Sequence, residues 1–207
     1  MITPRRIWNW CQRIKHRRGY GVQSPTDFFL ITSVIYERRP YYAYRMLKSR
    51  MYDYYLPHYR DKVNRLLFRL VNYYQPSNLI EVGRENGEAF SYMRAASQKM
   101  MAFSIRRKEK EMVLLQLERY LEEVNQIGCL HIGHTPFYKE VYESAISYVN
   151  QDSWFVVGGI HESGEKRMWW KQVKDDPRTG ITYDLFDIGL VFFDKKRYKE
   201  HYIINFL

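Results

Sequence analysis

Cysteine, long apolar runs and the short signatures of common catalysts are all scarce in this chain of 207 residues. Each scarcity removes a class of function. The two cysteines, Cys11 and Cys129, form neither a metal-ligand spacing nor a disulfide framework. No apolar stretch is long enough to span a bilayer, and the N-terminus lacks the apolar core and cleavage site of a signal peptide. A cytoplasmic protein is therefore expected. There is no nucleophile elbow, P-loop or HExxH. No internal repeat or low-complexity tract divides the chain.

What is present is aromatic and basic. Aromatic residues make up 17% of the chain, with 19 tyrosines, which favours a folded protein. The length suits one domain with an N-terminal extension. The formal net charge is +10, and Arg5, Arg6, Arg13, Lys15, Arg17 and Arg18 all precede the first acid, Asp27. Such a patch attracts nucleic acid or anionic lipid. The plainer reading is a solvated basic face with no dedicated partner.

Residues 4–18 read as a basic amphipathic helix with Pro4 in its first turn. Ile7, Cys11 and Ile14 share a stripe beside Trp8 and Trp10, so Ile7 and at least one of the two tryptophans are expected to be buried against the body or a second copy. A membrane-surface helix is the alternative. Gly19-Tyr20-Gly21 breaks the helix, and Ser24-Pro25-Thr26-Asp27 caps a new one over Phe28 to Tyr36. From Tyr41 to Tyr74 the pattern is helical, with Leu66, Leu67, Leu70 and Val71 as core. Tyr52, Tyr54, Tyr55, Tyr59 and Arg60 interleave rings with charge, as single-stranded nucleic-acid binders do, but no module motif accompanies them. Gln75-Pro76-Ser77 ends the helical region. The expected division is a helical cap at 1–76 and an α/β domain at 77–207.

The second part is arranged around NLIEVGRENGEAFSY, Asn78 to Tyr92. It reads as a strand, a glycine turn and a helix start, with Glu81-x-Gly83-x-x-x-Gly87 as the skeleton of a nucleotide-binding turn. That spacing alone is weak. Strands at Met101–Ile105, Cys129–Ile132 and Trp154–Ile160 then alternate with helices at Glu88–Lys99, around Val113–Val124, at Tyr138–Val149 and at Lys166–Lys174. Strand–helix alternation predicts a parallel sheet with helices on both faces. Ile181–Phe186 and Ile188–Phe193 are too close for a crossover, so they predict an antiparallel hairpin.

GGIHESGEKRMWWKQVKDDPRTGITYDLFDIGLVFF, from Gly158 on, resembles a segment of small O-methyltransferase-like proteins that runs close to DDIYWSxEMxxAWxxI, a Pro turn and DLFxxGIVFF. Ile160, Ser163, Glu165, Trp170, Pro177, Asp184, Leu185, Phe186, Gly189, Val191, Phe192 and Phe193 fit without a gap. Tyr20-Gly-Val-Gln-Ser-Pro25 resembles that group's HGxHSP, with both histidines replaced. The chain thus resembles a divergent class I S-adenosylmethionine (SAM)-dependent methyltransferase. The resemblance implies a Rossmann-like sandwich, a mostly parallel sheet with an antiparallel C-terminal hairpin, and a helical N-terminal cap. It also implies SAM as cofactor, with a small-molecule substrate or a protein partner, and leaves a homodimer open.

Residue by residue, Glu81, Gly83, Glu85 and Gly87 would border the methionine part of the cofactor. Arg106 stands where the ribose acid is expected, and His134 matches the His of an IDxxH-like stretch. Gly159, His161 and Trp170 fall at the substrate end. The departures are as informative. Glu85 brings negative charge toward the cofactor carboxylate, and Arg106 has donors but no acceptor. Gly158-Gly159 replaces Asp-Asp, and His161-Glu162 replaces Tyr-Trp. Between Arg106 and Trp154 there is room for one strand where the fold places two. Poor or absent SAM binding is expected. His131, His134 and His161 with Glu162 are also weighed as a metal site, against hydrogen-bonded histidines, and no metal is assigned. No residue is assigned as catalytic. Three functions compete: a non-catalytic relative, an active small-molecule O-methyltransferase, and a nucleic-acid binder or RNA methyltransferase that uses the basic N-terminal half.

Overall fold

Alternation along the strands sorts the core onto the two faces of one sheet. In β1 (Asn78–Val82), Leu79 packs on one face while Ile80 and Val82 pack on the other. The same split recurs in β3 (Ile127–Ile132), with Cys129 against Leu130, and in β4 (Val149–Gly158), with Trp154 and Val156 against Phe155 and Val157. Period-2 patterning with both sets apolar is what a sheet covered on both sides requires. The computed structural model describes residues 4–50, 59–83 and 87–207. The expectations for Tyr52, Tyr54, Tyr55 and Glu85, and the middle of the helix expected at Tyr41–Tyr74, lie outside the described residues.

Among the described residues seven strands run in the order β2-β1-β3-β4-β6-β5-β7, where β2 is Met101–Ile105, β5 Thr182–Asp184, β6 Ile188–Phe192 and β7 His201–Ile203. The first four pair in parallel, and β6 runs antiparallel to both β4 and β5. The parallel sheet and the closing antiparallel pair are as expected. Only β3 lies between β2 and β4. β7, parallel to β5 at the edge, was not expected.

One face is covered by α2 (Pro25–Phe29) with its π-helical continuation Leu30–Ile35, by α4 (Asp61–Tyr74) and by α5 (Glu88–Ala95). The other carries α6 (Lys110–Val124), α7 (Tyr138–Ala145) and α8 (Gly164–Asp175). Caps fix several of these starts. Ser24 Oγ accepts from Asp27 N and Ser163 Oγ from Lys166 N, each satisfying a first-turn N–H. α3 (Tyr42–Arg50) stacks Tyr44 against Phe68 of α4 and Tyr92 of α5.

Several boundaries differ from the sequence reading, among them those of α7, which ends at Ala145, and β5, which spans only Thr182–Asp184. β4 begins at Val149 and closes at Gly158, leaving Ile160 in the following turn. α5 stops at Ala95. The N-terminal helix α1 is shorter, Pro4–Gln12, and it docks the other way round. Ile7, Trp8 and Ile14 are 55%, 65% and 50% exposed, and only Trp10 is half-buried. The expected burial of Ile7 is therefore not found within the chain. The surface beneath α1 offers carboxylates rather than an apolar groove. Arg6 pairs with Asp187 at 2.8 Å and Arg13 with Asp184 at 2.8 Å. Ion pairing has turned the polar stripe inward.

Candidate functional site: the carboxyl ends of the parallel strands

β1 connects to β2 on one side and lies beside β3 on the other, so the chain reverses direction between β1 and β3. Open α/β sheets bind ligands at such a switch point, beyond the carboxyl ends of the strands. Here the two strands finish on facing glycines. Gly133 N donates to Val82 O at 2.8 Å, and a Cβ on Gly133 would stand 3.3 Å from Gly83 Cα.

The strand register places a polar row just before that point. Glu81 lies opposite Ser104 on one side and His131 on the other, all on the face covered by the N-terminal helices. Glu81 is 4% exposed and His131 2%. His131 Nδ1 is 3.0 Å from Glu81 Oε1, Ser104 Oγ donates to Glu81 Oε2 at 3.0 Å, and His131 Nε2 is 3.1 Å from Tyr59 Oη. Burial pushes the Tyr59 hydroxyl pKa far upward, and the nearby Glu81, Asp187 and Glu162 charges add to it. Tyr59 is thus a fixed donor. An imidazole protonated on Nδ1 accepts from Tyr59 and donates to Glu81, which satisfies every polar atom of the row.

Tyr59 reaches this position because Arg60 pins the entry to α4. Arg60 Nε and Nη2 donate to Asp187 Oδ2 at 3.1 and 2.6 Å, in the turn between β5 and β6. The tyrosine ring is thereby thrown across the ends of β3 and β4. It is 6% exposed, its centroid 5.1 Å from that of His134. A Cβ on Gly158 would collide with its hydroxyl. On the opposite wall Arg106 Nε donates to Ser104 Oγ at 3.0 Å, with Nη2 4.0 Å from Glu81 Oε2. Its guanidinium lies against Gly87, which has φ +39° and no room for a Cβ. Between these groups the remaining cavity is about 30 Å³, bordered by Tyr59, Glu81, Gly83, Gly87, His131 and His134.

Glu81, Gly83, Gly87, Arg106 and His134 are therefore brought together at one cleft. Gly159 and His161 lie at its far end, under α1. His134 Nδ1 is 3.3 Å from Glu162 Oε2, close to Gly159, whose φ is +63°. His161 Nε2 is 2.7 Å from Asp184 Oδ2 and 3.0 Å from Arg13 Nη2, with its ring stacked on Phe186 at 5.0 Å. Burial tends to raise the Asp184 pKa, but hydrogen bonds from His161 and Arg13 outweigh it and hold the carboxyl far below its usual range. Asp187 is depressed in the same way by Arg6 and Arg60, against its burial. Phe186 adopts φ +75°, a region unusual for a bulky residue, while its N donates to Asp184 Oδ1 at 2.9 Å. Trp170 is not at the cleft. It is 2% exposed in the core below, where its ring takes the space a Cβ on Gly189 would need.

The sequence reading did not assign Tyr59 or His131 to this site. His131 carried a readable signal, since it falls on the same strand face as Glu81 once β1 and β3 are paired. Tyr59 carried none, because its role depends on the Arg60–Asp187 ion pair across the fold. The histidines do not converge: His131, His134 and His161 each face a different carboxylate, Glu81, Glu162 and Asp184.

No protein-family model matches the chain, and no curated protein does. Solved structures do match. An O-methyltransferase from Bacillus cereus in complex with SAH aligns with TM-score 0.52 at 12% identity, over 82% of this chain and 97% of that one. A methyltransferase from Geobacter sulfurreducens gives 0.53 at 12% identity, over 76% and 91%. The O-methyltransferase TomG from Streptomyces achromogenes, in complex with SAM, gives 0.52 at 12%, over 75% and 91%. Identity this low carries the fold alone. The chain has the class I SAM-dependent methyltransferase fold, and the likeness singles out no subgroup within it.

Proposed function

We propose that this is a methyltransferase-like protein whose cofactor cleft is closed by its own side chains, so that SAM binding is weak or lost and the scaffold serves in binding or assembly. The observation that carries this reading is the Tyr59 ring over Gly158, which leaves a cavity of about 30 Å³. Ligand pockets run to about 300–1,000 Å³, and the space here is on the order of one water. The departures from the family pattern fit the same reading. Gly158 admits Tyr59 where an aspartate would not, and Arg106 covers Gly87 from the position of the ribose acid. A ribose that loses a carboxylate acceptor forfeits charge-assisted hydrogen bonds of about 1.5–3 kcal/mol each. Residues 1–76 act in this proposal as a cap on 77–207, with α1 held over Gly159 and His161 by the Arg6 pair within it and the Arg13 pair just after it. Thermal melts with SAM and SAH test the proposal. No rise in melting temperature is expected at millimolar ligand, and a rise that saturates at micromolar ligand would refute it.

A further inference from the structure

A second cavity of about 350 Å³ lies beside the cap, away from the strand ends and open to solvent at Arg17, Arg38 and Arg39. Its wall is basic, with Arg17, Arg38, Arg39, Lys62, Arg65 and Arg69 all lining it. Among the described residues the lining holds one acidic side chain, Glu37. Among the described residues only two of the six have carboxylate partners. Arg39 is 3.5 Å from Glu37, and Arg65 is 2.7 Å from Asp61.

The fold holds this charge in place. Arg69 is 5% exposed and donates to the carbonyls of Val34 and Ile35 at 2.7 and 2.9 Å, the last carbonyls of the π-helical turn. It caps that helix end, which favours a cation, and so stays in the wall. Arg65 lies over the Tyr44 ring at 5.1 Å and, among the described residues, its buried Nε–H has no acceptor. Lys62 sits 4.6 Å from the centroid of Phe206. Burial lowers its ammonium pKa to about 7, with Arg60 and Arg6 pushing the same way and Asp187 opposing. Trp10 and Tyr36 add an aromatic side to the wall. Unpaired like charges gathered in one concavity repel each other and focus a field that an anion relieves.

We infer that this cavity binds a small polyanion carrying a diphosphate or several phosphate esters. The inference stands on the cavity's charge and on the buried Arg69 fixed in its wall, and is independent of the state of the cofactor cleft. A free phosphorylated metabolite and a phosphorylated lipid headgroup share this chemistry. The lipid source has a second argument, because α1 supplies Trp10 to the wall and turns Ile7 and Trp8 outward, with Ile14 exposed just beyond its end. A nucleic-acid strand matches less well, since its phosphates are spaced along a groove rather than gathered in one chamber.

Calorimetric titration with inorganic pyrophosphate and with ATP tests the soluble source. Flotation with phosphatidylcholine vesicles, with and without phosphatidylinositol bisphosphate, tests the lipid source. One-to-one saturable binding of at least one phosphate probe is expected, weakened about tenfold or more by Lys62→Gln with Arg38→Gln. Lys62→Arg should retain it. A bound anion also stabilises the Lys62 ammonium, so binding near neutral pH should take up protons, read as a heat that depends on the buffer. Lys62→Gln should lower that uptake, leaving only the part that comes from the phosphate ligand's own ionisation. If the first pair fails to fold by circular dichroism, Arg38→Gln with Arg39→Gln, both exposed, carries the comparison. Failure of every phosphate probe to saturate, equal affinity in the folded variant pair, or binding only to a single-stranded oligonucleotide would overturn the inference.

Discussion

Removing the tyrosine plug should open the cleft, and the structure sets the scale of the effect. For a cofactor to enter the wild-type cleft, Tyr59 must swing out of its site against Gly158. Exposing its buried ring costs about 1.5–3 kcal/mol. Breaking its bond to the buried His131 Nε2 costs about 1–3 kcal/mol more, because that nitrogen is left without a partner. Together these weaken entry by roughly 10² to 10⁴ in affinity, before any term for Arg106. The double variant Tyr59→Ala, Arg106→Glu removes the ring and places an acceptor at the ribose position. It should bind SAH at least about a hundredfold more tightly than wild type. It should also be less stable, since truncating a buried aromatic typically costs about 3–5 kcal/mol. Stability is therefore read first by urea unfolding, and affinity by calorimetry on the folded fraction. A folded double variant with no gain in affinity would refute the reasoning, because the plug would then not be what closes the cleft.

Other expected outcomes follow from the same contacts. Gly158→Ala should destabilise by about 1–3 kcal/mol through overpacking against Tyr59, and a double-mutant cycle with Tyr59→Ala should recover most of that loss. Asp184→Ala leaves Arg13 without its carboxylate in a largely buried pair and should cost about 3–5 kcal/mol, read as a lower urea midpoint. Because the native pKa of Asp184 lies below its unfolded value, its contribution is present above the unfolded pKa and is lost as pH falls through the native one. An acid titration should show α1 releasing in that range, followed through Trp10 emission. His201 shifts in the same direction through burial of a base rather than pairing of an acid. Burial lowers its pKa to about 4, and its Nδ1 lies 2.8 Å from Thr182 Oγ1. The unfolded chain takes up that proton first, so stability should fall from neutral pH toward pH 4, and His201→Gln should flatten the fall.

The sheet was legible because its information is local. Runs such as Leu79–Val82 and Trp154–Val157 alternate between two apolar faces, and the short gap between Asp184 and Ile188 leaves only a hairpin. β7 was not legible, since His-Tyr-Ile is too short a run to stand out from the tail around it. The cleft was half legible. Glu81, Gly83, Gly87 and Arg106 meet where the strand–turn–helix pattern puts them, but what fills the space arrives from elsewhere. Tyr59 is placed by Arg60 and Asp187, which are far apart in the chain. Arg6 and Arg13 turn α1 over because Asp184 and Asp187 wait beneath it. Helical periodicity reports which residues share a stripe, and it does not report whether that stripe meets an apolar groove or a pair of carboxylates.

The most direct test of a closed cofactor cleft is calorimetric titration of the wild-type protein with S-adenosylhomocysteine. The account predicts no saturable heat at ligand concentrations up to about 1 mM, where a dissociation constant corresponds to only about 4 kcal/mol. One-to-one binding in the micromolar range would contradict it.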